Sequence, residues 1–320
     1  MSQLLDRAFA LEAVRVTEAA AIAASRQIGR GNEHNADQAA VEAMRTAFNF
    51  LPIQGTVVIG EGERDEAPML FIGEKVGSGG IAVDIALDPL EGTTLTAKAM
   101  PNALAVMAMA EPGTLLNAPD TYMDKLAIGP GYANGIVDID ADPGDNINAL
   151  AKAKGVKPSE ITACIMDRPR HEALIAAVRK TGASISLITD GDVAGVIATT
   201  DPATDIDIYI GQGGAPEGVL AAAALRCVGG QMQARLVFKK DDERARAAKL
   251  GIKDFNKKYS LMELASGDVV FAATGVTDGS MLSGVHVDKN FITTESIVMR
   301  SATGTVRWIK TRHKRSRHGF

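Results

Sequence analysis

Residues 84–93 read Asp-Ile-Ala-Leu-Asp-Pro-Leu-Glu-Gly-Thr, an apolar strand that runs into a proline turn bearing two carboxylates, a glycine and a hydroxyl. Proline fixes its own φ and restricts the residue before it, so Asp88 and Glu91 are presented from either side of Pro89 by a stiff turn. Gly92 lets the backbone pass close to a ligand, and Thr93 follows it with a hydroxyl. A chain with this segment ends a strand at an acidic corner suited to a hard cation facing a phosphate. Taken alone, the same residues also describe an ordinary acidic turn. Other acidic segments decide between the two.

Directly after the apolar run 56–59 comes Gly60-Glu61-Gly62-Glu63-Arg64-Asp65-Glu66, four carboxylates with two glycines, a costly surface unless something cationic sits there. Asp37 opens the second helical segment, as a first-turn acid or as a ligand. Gly211-Gln212-Gly213-Gly214-Ala215-Pro216-Glu217-Gly218 is a glycine loop entering a helix with Pro216 near its first turn. Its backbone amides are placed to cradle an oxyanion, and Glu217 to reach a metal. Mg²⁺ and Mn²⁺ prefer oxygen ligands, and a pair roughly 4 Å apart clamps the attacking and leaving oxygens of a phosphoryl group. Zinc fits less well, because the five histidines are scattered.

A bisphosphate also needs cations away from the metals. Arg168-Pro169-Arg170-His171, where a strand gives way to a helix, supplies them, since arginine matches phosphate oxygens bidentately. Asp190-Gly191-Asp192 suits either sugar hydroxyls or a helix cap.

Apolar spacing predicts helices over 7–28 and 36–49, then strands at 56–59, 69–72, 81–87 and 103–109 separated by polar turns, a pattern of antiparallel or mixed pairing. Beyond about 155, strands and helices alternate: strands at 161–166, 184–188 and 206–210, helices at 170–180 and 216–228. Closing strands, with a hairpin turning at 302–304, end the chain. These textures divide it into an N-terminal metal-binding lobe, 1–155, and a C-terminal α/β lobe, 156–320. The basic residues between Arg307 and Arg317 read as a frayed tail.

A net charge of −5 and only 4% aromatic residues argue against a nucleic-acid binder. The longest apolar runs are broken by Asp or Gly, so no membrane span is expected, and no basic segment followed by an apolar run opens the chain. The expected location is the cytoplasm. Cys164 and Cys227 lie far apart in apolar surroundings, as buried free thiols do.

With these residues in place, the chain resembles the class II fructose-1,6-bisphosphatases, the bacterial GlpX-type enzymes. The resemblance is carried by Gly-Glu-Gly-Glu at 60–63, Asp-Glu-Ala-Pro at 65–68, Asp-Pro-Leu-Glu-Gly-Thr at 88–93 and Asn-Ala-Pro-Asp at 117–120. Pro-Arg-His at 169–171, Asp-Gly-Asp at 190–192 and Gly-Gly-Ala-Pro-Glu-Gly at 213–218 complete it. The 88–93 turn alone indicates only the wider lithium-sensitive sugar and inositol phosphatase superfamily. The resemblance implies an α/β fold of layered α-β-α-β-α type with two sheets in two lobes. It implies two Mn²⁺ or Mg²⁺ ions, one held by Asp37 and Glu61 and the other by Asp88, Glu91 and Glu217. Glu91, Gly92 and Thr93 would face the 1-phosphate of fructose 1,6-bisphosphate. Tyr122, Arg168, Pro169, Arg170, Asp190, Gly191, Asp192 and Gly214 would contact the sugar and its distal phosphate. Asp65 and Thr93 would position and deprotonate the attacking water. A homodimer or homotetramer is the family expectation. Sedoheptulose 1,7-bisphosphate as substrate and a non-catalytic phosphosugar sensor are the alternatives. The turn at 31–34 lacks a lysine that relatives often carry, and Asp84 acquires no role.

Overall fold

The computed structural model of the protein describes residues 7–62 and 69–317. Two compact units divide the chain, one formed by Met1–Leu115 with Gly267–Phe320, the other by Leu116–Ser266. This corrects the expected boundary at 155: the second unit begins well before it, and the chain returns to the first for its last strands.

The first unit opens with helices α1 (Arg7–Ser25) and α2 (Glu33–Phe48). Strands β1 (Ile53–Ile59), β2 (Lys75–Val76) and β3 (Ile81–Glu91) follow, then helix α3 (Thr93–Ala97) and β4 (Leu104–Ala110). The second unit runs β5 (Tyr122–Ile128), α4 (Pro143–Lys154), β6 (Thr162–Met166), α5 (Glu172–Lys180), β7 (Ser184–Ile188), α6 (Asp192–Ala198) and β8 (Ile208–Gly214). It ends with α7 (Ala215–Val228), β9 (Gln231–Val237), α8 (Asp241–Lys249), β10 (Lys258–Ser260) and α9 (Leu261–Leu264). Strands β11 (Val269–Gly275), β12 (His286–Val287), β13 (Phe291–Arg300) and β14 (Thr305–Lys314) complete the first unit.

The first sheet is ordered β12-β13-β11-β4-β3-β1-β2, with β14 paired to β13. Only β1 and β3 run parallel in it, so it is mixed, as the turn-rich spacing requires. Helix α1 buries Ala13, Val14, Ala20, Ala21 and Ala24 in the core with Met44 and Phe48 of α2 and Ile85, Met107 and Val298 of the sheet. Small alanines let the helix sit close enough for hydroxyls to meet. Thr17 Oγ1 is 2.7 Å from Thr274 Oγ1, which is 2.8 Å from Ser296 Oγ, and all three are fully buried. This chain satisfies polar groups that would otherwise destabilise the core.

Three local expectations change. Helix α2 begins at Glu33, because Asn32 caps it by accepting from the Asn35 amide at 3.0 Å, so Asp37 lies in its second turn and is not the cap. Residues 69–72 form no strand: Leu70 takes a φ of 55°, and its carbonyl accepts from the Glu61 amide at 3.1 Å, folding back on the acidic loop. The basic stretch is no frayed tail, since Phe291↔Lys314 through Arg300↔Thr305 pair in register as a hairpin turning at 301–304.

The second sheet is ordered β10-β9-β5-β8-β6-β7 and is also mixed, with β6 parallel to β7 and β8 and the rest antiparallel. The sequence reading missed β5, whose Asp124 and Lys125 interrupt an otherwise apolar run. Cys164 and Cys227 are buried and free, and burial, reinforced by the charge of Asp192, pushes the Cys164 thiol up to about 12. Among the described residues no helix is long and apolar enough to cross a membrane.

Candidate active site

In the first unit the site begins with strand polarity. Because β1 and β3 are parallel neighbours, with Ile53 opposite Ile81 and Val57 opposite Ile85, Glu61 just past β1 and the acids at the end of β3 lie at one end of the sheet. The proline turn then re-aims the end of β3. Asp88 lies opposite Val106 and Glu91 opposite Leu104, so β3 carries one extra residue against β4, a bulge between the two acids. Asp88 Oδ1 accepts from the Leu90 amide at 3.0 Å across Pro89. Glu91 is buried, at 4% exposure. Gly92, at φ 90°, starts α3 and so places Thr93. A β-carbon on Gly92 would come 2.8 Å from Leu95 Cδ1.

Asp37 and Glu61 meet from separate elements. Burial pushes the Asp37 carboxyl up, while the nearby charge of His34 and a hydrogen bond with the Glu61 side chain pull the other way. Two carboxyls can share such a bond only with a proton between them, and a divalent cation takes the same place. Asp84, left without a role by the sequence, accepts from the Gly113 amide at 2.7 Å and fastens a turn. Asp65 lies outside the described residues.

In the second unit β8 passes directly into α7, and its glycines make room for acids rather than for a ligand alone. A β-carbon on Gly214 would lie 1.9 Å from Glu217 Oε2, and one on Gly213 would lie 1.8 Å from Asp192 Oδ2. Asp192 is 5% exposed and pairs at 2.5 Å with Lys125, which is wholly buried. Lys125, between Asp124 and Leu126 of β5, escaped the sequence reading. No local signal marked it, since a lysine beside an aspartate in an apolar run reads as an exposed interruption. Glu217 Oε2 is buried and accepts no hydrogen bond. Burial pushes the Glu217 carboxyl up, and the neighbouring charge of Asp192 adds to this while Lys125 opposes it.

In each unit taken by itself the candidate donors are carboxylate oxygens, and this chemistry suits hard divalent cations. Among the described residues no three His, Cys, Asp or Glu side chains converge into one cluster.

On β5 and its neighbours the expected sugar-phosphate residues gather. The Arg170 guanidinium carbon lies 5.0 Å from the centre of the Tyr122 ring, and Lys239 Nζ, a cation the sequence reading did not pick out, lies 3.6 Å from it. Arg170 is exposed, and its Nε and Nη2 donate to the Gln212 carbonyl at 3.2 and 2.7 Å. Arg168 and Pro169 open the single 3₁₀ turn that carries Arg170. Asp190 Oδ1 accepts from the Gly191 amide at 3.1 Å, and Gly191, at φ 83°, starts α6 with Asp192 as its first residue.

His171 holds this turn to β8. The Gln212 amide donates to its Nε2 at 2.8 Å, so Nε2 must be unprotonated; Nδ1 then carries the hydrogen and donates to the Met166 carbonyl at 2.7 Å. Burial holds the ring's pKa below its ordinary value, against the Met166 bond. A histidine lowered in this way stabilises the fold fully above its unfolded value near 6.5, and that contribution fades as pH falls through the folded value. Replacing His171 by leucine should therefore cost roughly 1 to 3 kcal/mol at pH 8, because it orphans a buried amide and carbonyl. By pH 5 the gap from wild type should narrow. Urea unfolding at the two pH values checks this, and a gap that widens toward acid contradicts it.

The family model described as bacterial fructose-1,6-bisphosphatase, glpX-encoded, matches residues 7–313. Fructose-1,6-bisphosphatase 1 class 2 of Escherichia coli K12 is 46% identical, over 97% of this chain and 96% of its own length. Fructose-1,6-bisphosphatase class 2 of Shigella flexneri is equally similar over the same shares. A match that begins with α1 and ends within β14 takes in the acidic corner of the first unit and the glycine loop of the second, and with them the chain belongs to the bacterial, glpX-encoded fructose-1,6-bisphosphatase family.

Proposed function

We propose that this chain is a cytoplasmic enzyme that hydrolyses the 1-phosphate of fructose 1,6-bisphosphate, giving fructose 6-phosphate and inorganic phosphate, with Mn²⁺ or Mg²⁺ bound. The observation that carries this reading is the family match together with its acids, Asp37 hydrogen-bonded with Glu61, and Asp88 and Glu91 on either side of the β3 bulge. In the first unit these four carboxylates would hold cations, and in the second Glu217 would bind one. When bound, the two ions acidify an attacking water and offset charge on the phosphoryl oxygens.

The chain's own groups do the rest. Thr93, at the start of α3, presents a hydroxyl to the water and the reacting phosphate, and Asp65 takes the proton. Gly92 lets the backbone approach that phosphate. Arg168 and Arg170 bind the distal phosphate, with Lys239 beside Tyr122 adding charge. Asp190 and Asp192 accept from sugar hydroxyls.

Incubated with fructose 1,6-bisphosphate and either ion, the purified protein should release phosphate, and chelation should stop it. Failure to release phosphate with both ions overturns the reading. Specificity constants measured in parallel on sedoheptulose 1,7-bisphosphate decide which sugar is preferred.

A further inference from the structure

We propose that Lys125 is a positioning residue: held against Asp192, it reserves that carboxylate for the sugar and leaves Glu217 as the carboxylate of the glycine loop that takes a cation. This rests on Glu217 being a cation ligand. The geometry lies wholly within the second unit. Lys125 leaves β5 toward the first turn of α7, where its Cε would lie 3.1 Å from a β-carbon on Gly218 and its Nζ 3.1 Å from one on Gly213. Its ammonium ends 2.5 Å from Asp192 Oδ2, and Lys125 is wholly buried while Asp192 keeps 5% exposure. Glu217, four residues after the same Gly213, has a buried oxygen with no hydrogen-bond donor. Two acids on neighbouring elements are thus treated differently: Asp192 is paired directly with Lys125, whereas Glu217 feels that ammonium without bonding to it.

A buried ion pair is seldom a net gain in stability over apolar residues of similar volume. Its use here is to sort charges. Without it, Asp192 and Glu217 would both present negative charge to an incoming ion, and Asp192 would no longer be held in one orientation for a hydroxyl.

The test is Mn²⁺ binding to the substrate-free protein at pH 8, followed by calorimetry or electron paramagnetic resonance, together with KM and kcat. Lys125→Met adds uncompensated negative charge and should tighten Mn²⁺ binding by about fivefold or more, whereas Asp192→Asn frees the ammonium to face Glu217 and should weaken it by about tenfold or more. Both changes destabilise the fold, so a purely structural role predicts that both weaken binding. The double variant buries no charge at this position. It should bind Mn²⁺ within about threefold of wild type yet show a KM raised by about tenfold or more, since the hydroxyl acceptor is gone.

Opposite shifts in the single variants support the proposal. Shifts of the same sign, or none, overturn it. If neither single variant folds, the double variant decides: weakened Mn²⁺ binding there also overturns it. Wild-type protein that binds Mn²⁺ without releasing phosphate refutes the proposed activity instead, and leaves the signs of the Mn²⁺ shifts to judge Lys125.

Discussion

Changing Glu217 to glutamine should lower phosphate release by roughly a thousandfold while making the metal-free protein more stable at neutral and alkaline pH. The loss follows from the several kcal/mol of charge stabilisation that a metal centre supplies, at about 1.4 kcal/mol per tenfold in rate. The gain follows from burial. Glu217 Oε2 has neither water nor a donor, and its carboxyl is pushed above its ordinary value of 4.5 by burial and then by Asp192. Above 4.5 the unfolded chain has released this proton while the folded chain still holds it, so the wild type loses stability as pH rises until the folded value is passed. Glutamine keeps the shape and has no charge to bury. The stability gap should therefore be absent near pH 4.5 and reach on the order of 1 to 3 kcal/mol at pH 8. Urea unfolding in chelator, repeated with Mn²⁺, reads both parts: the ion should stabilise the wild type more than the variant, which keeps the carboxylates of the first unit. A variant that is active, or whose stability follows the wild type's at every pH, removes Glu217 from the site.

The chemistry of this region was legible in the sequence wherever a stiff local motif carries it. Asp-Pro-Leu-Glu-Gly-Thr builds its corner from backbone restrictions that act within a few residues, and the structure keeps it, adding the bulge. Lys125 was not legible for the opposite reason. Its partner Asp192 is far away in the chain, and nothing local distinguishes a lysine that will be buried from one that interrupts a strand. The glycine loop was half legible: its residues were picked out, but Gly213 and Gly214 clear space for the chain's own Asp192 and Glu217, a fact of tertiary packing. The same limit explains the misplaced boundary. Strand β5 hides its pattern behind two charges, and no local signal announces that the chain will return to the first sheet at β11. The basic residues of β14 read as solvated because alternate side chains are exposed, while their backbone pairs throughout with β13.

Alanine at 213 should be poorly tolerated, and the reason is spatial rather than conformational. Its φ is not in the left-handed region, so alanine has no backbone objection there. The new β-carbon would lie 1.8 Å from Asp192 Oδ2 and 3.1 Å from Lys125 Nζ, and both groups are buried. Gly213→Ala must expel Asp192 from Lys125 or push β8 away from α6. Breaking a buried pair while one charge remains inside costs about 3 to 5 kcal/mol, a large share of the ~5 to 15 kcal/mol that a domain has. Activity should fall with it, since the proposed contact of Asp192 with the sugar would be lost. The mechanism makes a second demand. In a background of Lys125→Met and Asp192→Ala, where the colliding atoms are gone, the same alanine should cost no more than about 1 kcal/mol, a coupling that a double-mutant cycle by urea unfolding measures directly. If instead the alanine is equally damaging in both backgrounds, it is the strand itself that requires glycine, and the pocket holding Asp192 has no part in the choice.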